Sequence, residues 1–225
     1  MSEQAYSLWL VGGTALLVEQ PPSPLQRYVL ESVLYAQLRA DKQSGPRFTH
    51  YDRWYNDYRA ALEARGWVVT RSHSDYRPRT DDRPLAIAPY LCERLQTRHP
   101  RLAAPLQAAV SRLLQADAQA QLRPSSVAGT QVVYELGVIL PGPSLELYSL
   151  AFDGGSASVP IDLGATVAAS ATRDGIDLRE SQATMTELLS EANRQDLHAL
   201  IERKQLAGHI KDLGFIEAGG AYGQS

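Results

Sequence analysis

The longest stretch with a strand-like pattern covers residues 131–152, QVVYELGVILPGPSLELYSLAF, on both sides of the Pro-Gly-Pro sequence at 141–143. Side chains of a strand alternate between two faces. With 141–143 as the loop, the pattern predicts a hairpin in which the paired residues run from Leu140 with Ser144 to Val132 with Phe152. Both faces of this hairpin are largely apolar. We therefore expect it to lie centrally, with helices or a second sheet covering it.

Glycines mark two further features of the predicted strands. Gly137 leaves a gap opposite Leu147, which indicates a bulge or a close approach of another group. Gly12-Gly13 interrupts the apolar run LWLVGGTALLVE, and a Gly-Gly pair suits a tight hairpin. A phosphate loop is the alternative for that pair, but the spacing of the known phosphate-binding motifs is missing.

Helical spacing predicts three helices in the first half of the chain, over about residues 24–41, 50–65 and 85–122. The first begins with Ser23 as its N-cap, and Gln26 closes a capping box. The third is alanine- and leucine-rich and is broken at Pro100, with Pro105 as a second candidate break.

The second half is predicted to continue from the hairpin as a series of strands followed by helices. A short edge strand covers 159–163, and Asp174-Gly175 joins 166–173 and 176–183 in a second hairpin. That hairpin is polar, so we expect it to be peripheral, projecting, or buried only against a partner. Thr184 and Glu187 form a capping box for a helix over 185–193, and a second helix runs over about 195–207, followed by an amphipathic turn or two at 209–216.

These elements predict an α+β fold. An antiparallel β-meander over about 130–183 packs against helices from the N-terminal half and against a C-terminal helical pair. The stretch 123–129, RPSSVAG, predicts a linker between a mixed α/β half (1–122) and a half with the meander and C-terminal helices (130–216). We expect the two halves to pack as one compact unit, with 217–225 as a flexible tail.

The composition is that of a soluble globular protein, with 44% hydrophobic and 21% charged residues. A formal net charge of -3 argues against a nucleic-acid partner. The single cysteine, Cys92, excludes an intrachain disulfide and a cysteine-based zinc cluster. No apolar run approaches the ~20 residues that span a bilayer. The start of the chain lacks the features of a signal peptide, so we expect a cytoplasmic protein. Leaderless release, and association with a membrane after assembly, are compatible with this pattern.

The sequence contains no Walker, Rossmann, kinase or serine-hydrolase motif. His198 and Glu202 share a helix face at i and i+4, but two such ligands are common by chance. Asp81 and Asp82 lie beside arginines that compete with a cation. We therefore predict no metal site and no cofactor.

Without a catalytic motif, the sequence favours a non-catalytic interaction or self-assembling protein, with a homo-oligomer as the expected form. A structural subunit, an immunity-type inhibitor and a toxin-like assembling protein all fit this class. The candidate interface residues are an aromatic stripe and the predicted second turn. They are Tyr51, Trp54, Tyr55, Tyr58, Arg173, Asp174, Gly175 and Ile176.

An enzyme of an unfamiliar family is the alternative. A strand is predicted over Trp67–His73, and residues 74–84, SDYRPRTDDRP, are predicted to form an exposed loop. Loops at strand ends are where α/β proteins place ligands. The candidate catalytic residues in this region are His73, Asp75, Tyr76 and Arg77.

Overall fold

The computed structural model describes residues 5–20, 25–155, 161–185 and 191–216. Within these ranges the chain forms six α-helices and ten strands. The helices are α1 (Gln26–Ser44), α2 (Tyr51–Glu63), α3 (Ile87–Arg98), α4 (Ala103–Leu113), α5 (Ala116–Ser126) and α6 (Glu191–Arg203). The strands are β1 (Tyr6–Val11), β2 (Thr14–Glu19), β3 (Trp67–Arg77), β4 (Pro84–Ala86), β5 (Val127–Ala128), β6 (Gln131–Leu140), β7 (Ser144–Asp153), β8 (Thr166–Ala168), β9 (Ile176–Met185) and β10 (Ile210–Ile216).

Eight of these strands form one mixed sheet with the order β10-β1-β2-β6-β7-β9-β3, and the short β5 pairs with β6. The β2–β6 pair is parallel and the other pairs of this sheet are antiparallel. Strands β4 and β8 form a separate two-stranded sheet. The α+β fold predicted from the sequence is confirmed.

The hairpin at the centre of this sheet has the register that the sequence predicts. Leu140 pairs with Ser144, and the pairing continues without a shift to Val132 opposite Phe152. Strand β2 lies beside β6 and strand β9 lies beside β7. The hairpin therefore occupies the middle of the sheet because both of its faces need apolar cover.

Helices cover both faces, and each layer has its own apolar core. One core joins α3, α4 and α5 to side chains such as Tyr134, Leu136 and Leu150. The other joins α1, α2 and α6 to side chains such as Ile139 and Leu147. The alternation along β6 and β7 thus divides the apolar residues between two helical layers.

Gly137 is a point of close approach between strands β6, β7 and β2. A Cβ atom at this position would lie 2.6 Å from the Glu146 carbonyl oxygen, 2.6 Å from Leu147 Cδ2 and 3.0 Å from Leu16 Cδ2. The register between β6 and β7 is regular at this position. The sequence left open whether Gly137 marks a bulge or a close approach, and the structure shows a close approach.

The predicted hairpin at residues 166–183 is wrong. Strand β8 pairs with β4, whereas β9 is an inner strand between β7 and β3. The Thr172 hydroxyl donates to the Ala169 carbonyl (2.7 Å) and accepts from the Gly175 amide (3.0 Å). These bonds curl the segment before Gly175, so it cannot run back along β9 as an extended partner.

Of the predicted C-terminal helical pair, the second helix corresponds to α6, whereas residues 186–190 of the first lie outside the described residues. Met185 ends β9 and does not begin a helix, and the chain after residue 209 forms β10, which pairs with β1. The reason is tertiary: β10 covers the outer edge of β1 and buries Ile216 in the core on the α3–α5 side. Residues 161–163 are not a strand.

Several sequence predictions lie outside the described residues: the Ser23 cap, the start of the 159–163 strand, Glu187 and the tail at 217–225. Among the described helices, α1 and α2 correspond to the predicted 24–41 and 50–65. The predicted helix 85–122 is divided into α3, α4 and α5, with a 3₁₀ turn at Pro100 confirming that break. Pro105 lies in the first turn of α4, where proline is tolerated. The predicted linker at 123–129 contains the end of α5 and strand β5.

Candidate functional site

Strand β3 is an edge of the large sheet. It pairs with β9 along residues 67–77, and among the described residues no strand lies on its other side. The sequence predicted a strand only as far as His73. The structure extends it to Arg77, so that Asp75 and Tyr76 belong to a strand and not to a loop.

The distal part of β3 is exposed on both of its faces. Trp67 at the start is 1% exposed and sits in the core below α2, but every side chain from Thr70 to Tyr76 is exposed. Tyr76 is 56% exposed, and Val68, near the start of the strand, is 46% exposed. An edge strand of this kind presents a row of backbone N–H and C=O groups that another chain can pair with.

The register between β3 and β9 assigns the side chains of β3 to two faces. His73 lies opposite Glu180, and Tyr76 lies opposite Asp177. After an irregularity between Val69 and Arg71, the odd-numbered residues face the α3 side and the even-numbered ones face the α2 side. A row with Arg71, His73, Asp75 and Arg77 therefore lies on one face.

The four candidate catalytic residues do not converge. Tyr76 lies on the other face from His73, Asp75 and Arg77, and its hydroxyl donates a hydrogen bond to the Asp174 carbonyl. The Arg77 guanidinium lies 5.6 Å from the centroid of the Tyr90 ring. The structure therefore does not gather these side chains around one point where a substrate atom could bind.

Two buried carboxylates lie behind the odd-numbered face of β3. Glu180 accepts a hydrogen bond from Arg94 of α3 and lies 3.4 Å from Arg71 Nη2. Glu146, on β7, lies 3.2 Å from Arg98 Nε and 3.0 Å from His99 Nε2. These contacts connect β3, β9 and β7 to α3.

Protonation in this cluster follows from burial and neighbouring charge. Burial raises the pKa of Tyr148 to about 12, and the negative charge of Glu180 acts in the same direction. Burial alone would lower the pKa of Arg94, but its hydrogen bond to Glu180 produces a net rise. Tyr148 is therefore neutral and Arg94 charged at neutral pH, so the cluster holds β3 and β9 against α3 as a set of ion pairs.

The aromatic stripe on α2 lies inside the protein. Trp54 and Tyr58 stack with ring centroids 5.2 Å apart, and Tyr55 is 2% exposed. Tyr51 is partly buried and its hydroxyl lies 2.6 Å from Ser149 Oγ. Burial raises the pKa of Tyr55 to about 12. The stripe is covered by this chain's own sheet, so the prediction of a protein interface along it loses its basis.

Arg179 of β9 connects this stripe to the sheet. Its guanidinium carbon lies 4.9 Å from the ring centroids of both Tyr51 and Tyr55. The same guanidinium pairs with Asp52 of α2 and, at 2.7 Å, with Asp177. Arg179 is buried, and these contacts fix α2 on the strand that neighbours β3.

The other predicted interface segment lies beside the end of β3. Arg173 and Asp174 are exposed, whereas Gly175 and Ile176 are buried. Gly175 has φ +95°, and a Cβ atom there would lie 2.4 Å from the Arg77 carbonyl oxygen. This segment is therefore a turn packed on the end of β3, and its two exposed residues adjoin the exposed edge.

A buried polar network on the α1 side was not found by the sequence interpretation. Glu135, in the middle of β6, accepts a 2.5 Å hydrogen bond from Thr14, and Gln37 Nε2 lies 2.7 Å from the same hydroxyl. Arg47 is buried and donates to the carbonyls of Val133 (3.2 Å), Gly13 (3.4 Å) and Ser125. The available signal was a single acid on an otherwise apolar strand face.

The pH dependence of stability should show the effect of Glu135. Burial raises the pKa of Glu135 above its ordinary value of 4.5, while Thr14 and Arg47 lower it by less. The folded state then binds more protons than the unfolded state between these two values, so stability falls as pH rises through this window. We expect wild type to lose stability relative to Glu135→Gln from pH 4.5 upward.

Urea unfolding of both proteins at about pH 4.5, 6 and 7.5 measures this difference. Glu93→Gln is the matched control, because Glu93 is exposed on α3. A constant difference between wild type and Glu135→Gln across this range would contradict the raised pKa.

No helix among the described residues is long and apolar enough to cross a membrane. Within the same part of the chain, no group of three or more His, Cys, Asp or Glu side chains is placed to hold a metal ion. Cys92 is buried, and burial raises the pKa of its thiol.

Comparison with known proteins gives little further information. No family model matches the sequence, and no curated protein matches it. A solved structure of the Evf virulence factor is similar over 86% of this chain and 84% of that chain, with 10% identity and a TM-score of 0.37. A likeness at this level supports no inference about function.

Proposed function

We propose that this chain is a protein-binding protein of the α+β class. More specifically, we propose that it binds another polypeptide through the open edge of β3. The observation that carries this proposal is the run of exposed residues from Thr70 to Tyr76 on an edge strand.

Strand addition is the binding mode that this edge suits. The backbone groups of the added strand supply affinity, and side chains on alternating faces supply specificity. The inner side of β3 is held by its pairing with β9, which is regular from Arg71 to Arg77, and by the Glu180 ion pairs. The edge is therefore rigid before a partner arrives, which reduces the entropy that binding costs.

The opposite edge of the sheet is less suited to this role. Strand β10 is shorter, and its pairing with β1 is irregular in the middle of the strand, between Ser7 and Trp9, where Gly214 has φ +96°. The irregularity of β3 lies near its start, between Val69 and Arg71, and leaves the rest of that strand regular. Irregular edges pair poorly with a further strand. Phe215 is 77% exposed there, but a single exposed apolar residue is ordinary on a protein surface.

Site-specific photocrosslinking tests the proposal. A benzoylphenylalanine is placed at Ser72 or Ser74 of the full chain, and at Gln107, exposed on α4, as the control position. In cells that produce the protein, we expect a discrete covalent adduct from the β3 positions and none from position 107. Introducing Asp75→Arg should lower the yield of that adduct. Equal adducts from all three positions, or none from β3, would contradict a binding edge.

A further inference from the structure

The geometry of β3 points to the partner: we infer that a second copy of this chain pairs with it. The two β3 strands run antiparallel about a two-fold axis at His73, and the two sheets join into one. This inference rests on the proposed function of the edge and adds the identity and register of the added strand.

A strand that pairs with its own copy must be self-complementary. In a symmetric antiparallel pair each residue opposes the residue at an equal distance on the other side of the axis. With the axis at His73, Arg71 lies opposite Asp75 of the second copy, and Asp75 opposite its Arg71. Opposite charges in directly opposed cross-strand positions stabilise a sheet.

The neighbouring symmetric registers lack this match. Opposed side chains in an antiparallel pair lie on the same face of the sheet. The axis must therefore lie between the two copies of one residue of β3, and not between two successive residues. An axis at Ser74 places Arg71 opposite Arg77, which is a like-charge pair. An axis at Ser72 places Arg71 opposite His73, and Asp75 then lies opposite the irregularity between Val69 and Arg71, where no charged residue faces it. Charge complementarity therefore selects the axis at His73.

The side chains involved have unused hydrogen-bonding capacity. The Arg71 side chain is 49% exposed, and one of its nitrogens lies 3.4 Å from Glu180. Because a guanidinium has five N–H donors, Arg71 can contact a second carboxylate as well. Asp75 accepts from the Tyr76 amide through Oδ1 at 2.8 Å. Its other carboxylate oxygen can accept from the second copy.

The even-numbered face fits the same register. Ser72 lies opposite Ser74 of the second copy, so that small hydroxyl side chains meet on the α2 side of the joined sheet. Hydroxyl pairs of this kind form cross-strand hydrogen bonds. On the odd-numbered face, between Arg71 and Asp75, His73 lies opposite His73 of the second copy.

Charge exchange between two variants is the first test. Arg71→Glu alone and Asp75→Arg alone each place like charges opposite one another in the homodimer. We expect each to raise the dimer dissociation constant by about tenfold or more. A mixture of the two variants has opposite charges at both bridges and should associate about as tightly as wild type. Sedimentation equilibrium of each variant and of the mixture measures these constants.

Two matched controls have the same charge changes outside the strand. Arg79 and Asp82 lie in the exposed loop after β3, so Arg79→Glu and Asp82→Arg should leave the dimer dissociation constant unchanged. Thermal unfolding confirms that each variant is folded. A wild-type protein that is monomeric into the millimolar range, or a mixture no tighter than its components, would overturn the inference.

Cysteine crosslinking tests the register independently. His73→Cys should form an intermolecular disulfide under mild oxidation, because residues on the axis are within disulfide reach. Ser72→Cys or Ser74→Cys alone should crosslink poorly, because position 72 lies opposite position 74 of the second copy and not opposite itself. A mixture of those two should crosslink well. The parent protein, with its buried Cys92, is the blank. Preferential crosslinking of Ser72→Cys or Ser74→Cys alone would contradict the axis at His73.

The photocrosslinking experiment separates the two proposals. An adduct of twice the chain mass of 24.7 kDa supports the second copy. A β3-specific adduct of another mass, lost in Asp75→Arg, would retain the binding edge and overturn self-pairing. The absence of any adduct from the β3 positions would contradict both the binding edge and the self-pairing.

Discussion

Replacing Arg47 by methionine is expected to lower the free energy of unfolding by about 3–5 kcal/mol. Arg47 is 6% exposed and donates hydrogen bonds to three carbonyls that belong to the β1–β2 turn, the end of α5 and strand β6. Methionine keeps the length of the side chain but leaves these three acceptors unsatisfied. It also removes the positive charge that favours ionised Glu135. Buried acceptors and charges without partners are costly.

Urea unfolding at neutral pH measures this loss, with Arg39→Met as the control. Arg39 is exposed on α1, so its replacement should change stability by less than about 0.5 kcal/mol. The double variant Arg47→Met with Glu135→Gln should lose less than the sum of the two single changes, because it leaves no buried charge unpaired. A loss below about 1 kcal/mol for Arg47→Met would show that the network is not structural.

Replacing Trp54 by alanine is expected to cost about 3–5 kcal/mol of stability without a direct effect on association. The indole is 2% exposed, stacks on Tyr58 and donates a 2.7 Å hydrogen bond to Asp41. Alanine leaves a cavity in the core that α1, α2 and α6 share with the sheet, and it removes this connection to α1. Thermal and urea unfolding measure the loss.

The control for Trp54 is Arg53→Ala, one residue earlier on the exposed side of α2. It should leave the unfolding free energy within about 0.5 kcal/mol of wild type. An aromatic interface would give the opposite result for Trp54→Ala: a protein of normal stability that no longer associates. That outcome would restore the stripe as a binding surface.

The accuracy of the sequence predictions follows from the range of the interactions involved. The β6–β7 register was predicted correctly because it depends on two local features. The position of the loop sets which residues pair, and the alternation along each strand sets which residues share a face. The Gly12-Gly13 hairpin between β1 and β2 is equally local. The break at Pro100 was predictable because proline lacks a backbone donor.

The β9 error has a different origin. Asp174-Gly175 is a strong local signal for a hairpin, yet Thr172 hydrogen bonds and the packing of Gly175 on Arg77 produce another turn. The sequence of this segment is polar, which predicted that it has little core to bury. In the structure Arg179 and Glu180 are buried because α2 and α3 supply their partners. Periodicity within one strand does not contain this information.

The candidate site likewise combines features that the sequence predicts with features that depend on tertiary contacts. The sequence identified the region of His73, Asp75, Tyr76 and Arg77, but assigned three of these residues to a loop. Only pairing with β9 shows that the region is an edge strand and distributes its side chains over two faces. The aromatic stripe of α2 was recognised correctly as a stripe. Whether a partner or the chain itself covers it depends on where α2 packs.

The sequence by itself determined the central hairpin, its register and the need for cover on both of its faces. These follow from chain-local rules: alternation at a period of two, a fixed loop and the lack of a donor in proline. The tertiary structure alone decided that β9 is an inner strand, that β10 covers β1, and that β3 is left as an exposed edge. Those outcomes depend on which distant segments offer compatible surfaces and charges. Burial of Arg47 against Gly13 and of Glu135 against Thr14 is possible only after these segments meet.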